Sequence, residues 1–245
     1  METTNQTEEI EIYCLGSGSD GNCYALRKHN EVVLVECGLP YQVICNKLIE
    51  YGILPTTIKA VICTHAHKDH SLAVADLFRH GVKPYLDGRL AEKPEVVDKA
   101  KLHLTDWLTA YCFKVNHDID AYGFAFLDKE NKKSYLFIND TSVFDFPLKN
   151  IPFDAVFIEC NFIQTQLDAI RRTAKQKFKY DRQERTHLSL LGTKQMLSQM
   201  NLSKTKMIVL MHLSMDCANE TAMKTEIESV FKIRTLVAKR QGGMN

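Results

Sequence analysis

The sequence lacks any apolar run near the ~20 residues that a membrane-spanning helix needs, and its opening METTNQTEEIEIY lacks a signal-peptide core. Low-complexity tracts, proline-rich linkers and short tandem repeats are also missing. Neither charge sign dominates, since 31 Lys and Arg face 30 Asp and Glu for a net charge of +1. That balance excludes a whole-surface binder of nucleic acid or membrane. We therefore expect a cytoplasmic protein with no membrane partner.

The eight cysteines include no Cys-x-x-Cys pair, and Cys14, Cys63 and Cys160 lie in apolar, strand-like runs. Free, buried, reduced thiols fit this pattern better than a disulfide framework does. The 245 residues are 45% hydrophobic and 25% charged, as is typical of a folded globular protein. Residues 1–9 are polar and acidic, and we expect a flexible lead-in there.

Both halves of the sequence run from strand-rich to helix-bearing. The first half has strand patterns at 10–15, 23–28, 32–36, 59–63 and 82–86, with helical patterns over 41–51 and 71–81. The second half has strand patterns at 111–116, 122–127, 134–139, 154–159 and 206–211, with helical patterns over 161–178, 189–200 and 218–232. This order predicts two sheets face to face with helices outside.

The strongest chemical signal is THAHKDH at 64–70, which follows a buried strand directly. His65 and His67 are two positions apart, so both can face one point, while Asp69 and His70 can face a second. Imidazole and carboxylate are the ligands that Zn²⁺ and similar cations prefer. A solvated polar loop would not explain why a strand leads straight into the cluster, and we therefore predict a metal site.

Three further ligand-type residues stand where apolar strand patterns end. His117 ends YCFKVNH, Asp140 ends SYLFIND and His212 ends KMIVLMH. Each alone is more often a surface or capping residue. Together with 64–70 they predict convergence on a cleft at one rim of the sheets.

These motifs resemble the metallo-β-lactamase superfamily of metallohydrolases, whose hallmark is His-x-His-x-Asp-His. The resemblance runs from about residue 10 to 220 and is specific at five stretches: LVECG (34–38), THAHKDH (64–70), NHDID (116–120), FINDTS (137–142) and LMHLS (210–214). It implies an α/β (α+β) fold, a four-layer αββα sandwich formed by residues 10–245 as one domain. It also implies a dinuclear metal site.

The resemblance also assigns the ligands. One metal would be held by His65, His67 and His117, the second by Asp69, His70 and His212, and Asp140 would bridge both. Glu36 stands where the family usually has Asp and would orient ligands from behind. Two divalent ions are implied, with Zn²⁺ suited to this mixed donor set and Mn²⁺ or iron as alternatives.

Further features resemble the phosphodiesterase branch. LGSGSDGNCYAL resembles the opening of the YycJ-type enzymes, and VFIECNF (156–162) resembles their Glu-x-Asn segment. His187-Leu-Ser resembles the His-Ser-Thr loop of RNase Z type enzymes, where a non-ligand histidine serves the leaving group. The implied reaction is attack on phosphorus by a hydroxide held between the metals. His187 would protonate the leaving oxygen, with Glu159 keeping it oriented and charged; Asp69 completes the expected catalytic set.

A basic stretch, RRTAKQKFKYDRQER (171–185), precedes His187. Arg182 and Arg185 could grip phosphate there, with Ser189 and Ser214 as further substrate-binding candidates. The alternative is a solvated helix face, just as His187 could simply begin a helix. The basic stretch could instead contact a second subunit, and the family resemblance implies a homodimer.

The substrate remains open between two classes. The short spacings from His117 to Asp140 and from Asp140 to His187 exclude an extended tRNA-gripping arm and a large nuclease cap domain. The near-zero charge favours a small cyclic nucleotide, the substrate class of the compact viral anti-Pycsar phosphodiesterases, which destroy immune signals in the host cytoplasm. The alternatives are a YycJ-type nuclease acting on DNA or RNA ends, a thioester or lactam hydrolase, and a non-catalytic module with a relic site.

Overall fold

The computed structural model describes residues 8–86 and 101–245, so most of the predicted lead-in at 1–9 lies outside the described residues. The strands are β1 Glu11–Gly16, β2 Cys23–Lys28, β3 Glu31–Val35, β4 Ile58–Ile62, β5 Lys83–Tyr85, β6 Lys101–His103, β7 Leu108–Lys114, β8 Tyr122–Asp128, β9 Ser134–Ile138, β10 Ala155–Glu159, β11 Met207–Met211 and β12 Arg234–Val237. The helices are α1 Tyr41–Glu50, α2 Lys68–Ser71, α3 Val74–Arg79, α4 Gln164–Thr173, α5 Lys177–Thr186, α6 Leu190–Ser198 and α7 Glu220–Phe231.

The strands form two mixed sheets. The first has the order β1-β2-β3-β4-β5, with β3, β4 and β5 parallel. The second has the order β12-β11-β10-β9-β8-β7-β6, with β9 to β12 parallel. Each parallel pair needs a crossover connection, and helices form it for every pair except β9 and β10, which residues 139–154 join without a helix.

Alternate side chains of each strand face different layers of the sandwich. Val33 and Phe157 belong to the core between the sheets. Leu34 packs with α1 and α3 on one outer face, and Ile158 packs with α6 and α7 on the other. Because side chains alternate across a strand, both faces of each sheet are covered, and the predicted four-layer αββα sandwich is confirmed.

The sheet topology gathers the polar residues at one rim. β3, β4, β9, β10 and β11 each end at a candidate site residue or within three residues of one. Strands that run parallel present their carboxyl ends at the same edge. The residue after β3, Glu36, has left-handed backbone geometry at φ 64°, as do Asp140 at 45° after β9 and His212 at 53° after β11.

Several elements differ from the sequence prediction, among them β6 and the short helix α2, neither of which was predicted. The helical pattern over 161–178 is divided between two helices in the structure, because α4 ends at Thr173 and α5 begins at Lys177. The break lets Tyr180 of α5 pack with Leu167 of α4 and Cys217 in a small separate core. β12 was not predicted, since its RTLV run is short and follows a helix without strong turn chemistry.

No helix within the two described ranges combines the length and the apolar character needed to cross a bilayer. All eight cysteines lie in these ranges with free thiols, and seven of them are buried.

Candidate metal centre

His65, His67 and His117 converge on one point. His65 Nε2 lies 2.9 Å and His117 Nε2 lies 3.3 Å from His67 Nδ1. His65 is fully buried. Burial and the neighbouring histidine rings lower its pKa far below the usual range, and its ring is therefore neutral. A neutral imidazole nitrogen has the lone pair that a metal requires.

Asp69, His70, Asp140 and His212 form a second group, whose ligand atoms all lie within 4.8 Å of one another. Asp140 Oδ2 is 3.3 Å from His70 Nε2, and Asp140 Oδ1 is 3.5 Å from His212 Nε2. Burial alone would raise the pKa of Asp140, but the adjacent His212 and His70 hold it well below the usual range. Asp140 is therefore a carboxylate.

Asp140 also connects the two groups. Its Oδ2 is 3.8 Å from His65 Nε2 and 3.9 Å from His117 Nε2. Its Oδ1 is buried without a hydrogen-bond partner, a costly state for a carboxylate oxygen unless a cation satisfies it. The donor set and this orphaned oxygen fit a pair of divalent ions with Asp140 between them.

A set of polar side chains supports the histidines from behind. The Thr64 hydroxyl donates to Glu36 Oε1 at 2.6 Å and lies 2.8 Å from His65 Nδ1. Glu36 Oε1 is also 3.2 Å from His70 Nδ1, within ion-pair range although not aligned as a hydrogen bond. The longer Glu36 therefore still reaches two candidate ligands, as an orienting carboxylate must.

His187 and Glu159 form a hydrogen-bonded pair next to Asp140. Glu159 Oε1 is 2.6 Å from His187 Nδ1, and Glu159 Oε2 accepts from the backbone N–H groups of Thr141 at 3.0 Å and Leu188 at 3.2 Å. Burial lowers the pKa of His187, but the charges of Glu159 and Asp140 outweigh it and raise the pKa to about 9. The imidazole is therefore protonated at neutral pH.

A cavity of about 280 Å³ opens beside the cluster. Its lining includes His187, His212, Asn161 and residues from the glycine-rich loop at 16–22, α5 and the segments after β11 and β12: Ser19, Asp20, Lys179, Arg182, Gln183, Ser214, Met215, Asp216 and Arg240. Each cation in this lining has a carboxylate partner: Lys179 pairs with Asp216, Arg182 with Asp118 and Arg240 with Asp20. The cavity is thus polar without an excess of positive charge.

Two of the four substrate-binding candidates do not line this cavity. Arg185 Nε donates to the Asp181 carbonyl of its own helix at 3.2 Å. Ser189 is the N-cap of α6, and its hydroxyl accepts from Gly192 N at 3.0 Å. Arg185 therefore lies on a side of α5 that does not face the cavity, and the Ser189 hydroxyl is already engaged as a helix cap. Arg182 and Ser214 do line the cavity.

The structure adds residues to which the sequence analysis assigned no role. Asn22 Oδ1 lies 3.1 Å from His212 Nδ1, and Asn161 Nδ2 donates to the His212 carbonyl at 2.7 Å. Asp118 lies against His117 and Arg182. All three lie in stretches that carry the family resemblance. Their position in those stretches was the only feature of the sequence that could have indicated a role for them.

Comparisons with known proteins agree with this architecture. Residues 16–89 match the family described as the metallo-beta-lactamase superfamily. The chain is 29% identical over 142 residues to "Exodeoxyribonuclease WalJ" of Streptococcus pneumoniae serotype 2 (strain D39 / NCTC 7466), covering 52% of each protein. It therefore spans about half the length of the curated relatives it matches.

Solved structures resemble the chain over nearly its whole length. The metallo-beta-lactamase fold protein YhfI from Bacillus subtilis superposes with a TM-score of 0.70 at 18% identity, covering 97% of this chain and 100% of that one. Unliganded yeast PDE1 superposes with a TM-score of 0.66 at 11% identity, covering 96% and 99%. At such low identity these likenesses establish the fold.

Proposed function

We propose that the chain, whose residues 16–89 match the metallo-beta-lactamase superfamily, is a metal-dependent phosphodiesterase whose substrate is a small cyclic nucleotide. The observation that carries the phosphodiesterase assignment is the His187–Glu159 pair, 2.6 Å apart and beside the candidate ligand Asp140. A protonated histidine that is not needed as a ligand is the group an alkoxide leaving group requires.

The proposed ligands follow the two clusters. His65, His67 and His117 would hold one ion, Asp69, His70 and His212 the other, and Asp140 both. Bound divalent ions would polarise a phosphate oxygen and lower the pKa of the attacking water. Mixed imidazole and carboxylate donors suit Zn²⁺, with Mn²⁺ as the alternative. A homodimer and a cytoplasmic location stay predictions.

The chain's own residues would then orient the substrate and move one proton. Glu159 is fixed by two backbone N–H groups and engages His187 Nδ1, which leaves His187 Nε2 to donate into the cavity. As the phosphorus–oxygen bond breaks, that proton passes to the leaving oxygen. Asp69 Oδ2 is 3.5 Å from His70 Nε2, and Asp69 would help to hold the second ion.

The cavity supports a small substrate. Its volume of about 280 Å³ is close to the lower end of small-molecule sites, roughly 300 Å³. A nucleic-acid track presents an excess of cations to successive phosphates, whereas the three cations here are each paired with a carboxylate. One phosphodiester with an uncharged sugar and base matches that lining.

A second candidate is a nuclease acting on DNA or RNA ends. It is favoured by the partial similarity to a protein named an exodeoxyribonuclease. Some positively charged side chains of α4 and α5, such as Arg185, have no carboxylate partner within the described residues. They would be available to bind the phosphates of a nucleic acid.

A substrate panel separates the candidates. Protein loaded with two equivalents of Zn²⁺ or Mn²⁺ is assayed on an activated aryl phosphodiester, on purine and pyrimidine cyclic mononucleotides, and on single- and double-stranded DNA. We expect cleavage of the aryl ester and of at least one cyclic mononucleotide. Rapid cleavage of DNA ends without action on cyclic nucleotides would reverse the substrate assignment. Turnover of lactams or thioesters alone, or no bound metal, would overturn the phosphodiesterase itself.

A further inference from the structure

Asp118 lies between the three-histidine cluster and helix α5. Its Oδ1 is 3.1 Å from His117 Nε2 and 3.6 Å from His67 Nε2. Its Oδ2 accepts from Arg182 Nε at 2.8 Å and lies 2.6 Å from Arg182 Nη2. The Asp118 carboxylate therefore connects the three-histidine cluster to helix α5, which forms one wall of the cavity.

This contact sets the orientation of the Arg182 guanidinium. The group is planar, so engaging Nε and Nη2 on one oxygen fixes the direction of Nη1 as well. Nη1 has no hydrogen-bond partner among residues 8–86 and 101–245. Arg182 shares the lining of the cavity with His187 and His212, which is where a bound phosphodiester would sit.

The other two cations in the lining have different surroundings. Lys179 carries a single flexible ammonium at 3.4 Å from Asp216, and Arg240 contacts Asp20 on the far loop. Within the described residues, neither Asp216 nor Asp20 forms an ion pair with a candidate metal ligand. Only the Asp118 contact places a rigid donor at a set position relative to the metal cluster.

We propose that Asp118 is a positioning residue, which holds Arg182 across the cavity so that Nη1 donates to a non-bridging oxygen of the substrate phosphate. The proposal rests on the proposed phosphodiesterase function. Asp118 itself touches neither the substrate nor the reacting atoms. In this role Asp118 acts on substrate binding through Arg182, and its contacts with His117 and His67 fix the position of its carboxylate.

Three variants test this dependence: Asp118→Ala, Arg182→Ala and the double variant. A hydrogen bond to a charged group contributes enough that each single substitution should raise KM about tenfold to a hundredfold, with kcat within about threefold. The double variant should match Arg182→Ala alone, because the two residues act as one unit. The matched control is Asp181→Ala, which removes a carboxylate of α5 that lies 3.3 Å from Arg171 of α4 and outside the cavity lining. It should leave KM within about twofold.

Two readouts do not depend on turnover. Metal content and metal affinity of Asp118→Ala should equal those of the unaltered protein. The Kd for inorganic phosphate, measured by calorimetry on the metal-loaded protein, should weaken in Asp118→Ala and Arg182→Ala by the same factor, with no further loss in the double variant.

Several outcomes would overturn the proposal. Loss of metal from Asp118→Ala would make Asp118 a ligand, multiplicative effects in the double variant would make it independent of Arg182, and unchanged KM and phosphate Kd would make the pair a surface contact. If the unaltered protein cleaves no phosphodiester, the proposed function fails, yet the phosphate-binding cycle still decides the role of Asp118.

Discussion

At the scale of single residues, the site is marked by backbone conformations that its side chains do not favour. Glu36, Asp140 and His212 all have positive φ, and each lies within two residues of the end of a strand. A non-glycine residue in this region costs about 1–2 kcal/mol, and such residues cluster at functional sites. Here the turn aims each side chain back over the rim of the sheets, where the clusters form.

The charge of Glu159 controls the proton on His187. With a pKa of about 9 in the folded protein, His187 keeps its proton below that pH and loses it above. The activity that depends on the proton should therefore fall as pH rises through about 9. In Glu159→Gln the raising charge is gone, and the alkaline limb of kcat/KM should move to lower pH. If the alkaline limb of the kcat/KM profile does not move in Glu159→Gln, that limb does not report the ionisation of His187.

Removing the imidazole should cost turnover without costing metal. We expect His187→Ala to retain two metal ions and to lower kcat about 100-fold on an unactivated phosphodiester. An aryl ester, whose leaving group needs no proton, should be affected much less. The control is His80→Ala, since His80 is exposed at the end of α3. Full activity of His187→Ala on the unactivated ester would refute the assignment.

At the scale of elements, the short helix α2 depends on a close backbone approach. A Cβ placed on Gly38 would lie 1.7 Å from the Asp69 carbonyl oxygen. The Gly38 N–H donates to Asn22 O at 2.8 Å, and Asn22 N donates to Asp69 O at 2.8 Å. The glycine-rich loop, the turn after β3 and α2 are therefore packed backbone to backbone, and this packing fixes where Asp69 and His70 point.

Gly38→Ala should disrupt that packing. The methyl group forces the Asp69 backbone away, so we expect a loss of about 3 kcal/mol or more in stability together with weaker metal binding. Gly52→Ala is the control, because its methyl group would meet no atom within 4 Å and only the positive φ of 70° opposes it. That variant should lose about 1–2 kcal/mol and keep its metal. Denaturant unfolding and metal titration measure both.

The helices also show how packing overrides local pattern. The periodicity of the sequence indicates helix throughout 161–178. In the structure, Tyr180 and Leu167 pack against each other because the chain turns between α4 and α5. That turn places Arg182 at the cavity and leaves Arg185 on the outer side. One sequence motif of basic residues is thereby divided into a site residue and a surface residue.

At the scale of the whole molecule, a buried ion pair joins the two sheets. Lys28 at the end of β2 donates to Asp128 at the end of β8, with Nζ 3.0 and 2.8 Å from the two carboxylate oxygens. Both side chains are fully buried. The pair is flanked by Glu130, 2.9 Å from Lys28 Nζ. Breaking such a pair leaves an uncompensated charge inside the protein.

Lys28→Met should therefore destabilise the fold by about 3–5 kcal/mol. The matched control is Lys133→Met, since Lys133 pairs with the exposed Glu9, and an exposed pair contributes about 0–1 kcal/mol. Urea unfolding midpoints compare the two variants at one pH. A loss below about 1 kcal/mol in Lys28→Met would show that the inter-sheet pair contributes no more than a surface contact.

The sequence predicted the fold class, and the family resemblance predicted which residues form the candidate ligand clusters. Alternating and helical patterns reflect burial along each element, and the His-x-His-x-Asp-His spacing is local, so both can be read without coordinates. Only the tertiary structure decided which distant side chains meet: that Asp118 lies on Arg182, that Asn161 holds His212, and that Lys28 reaches Asp128. These contacts join residues that are remote in the chain, and no local periodicity encodes them. They arise from the pairing order of the strands and the facing of the two sheets.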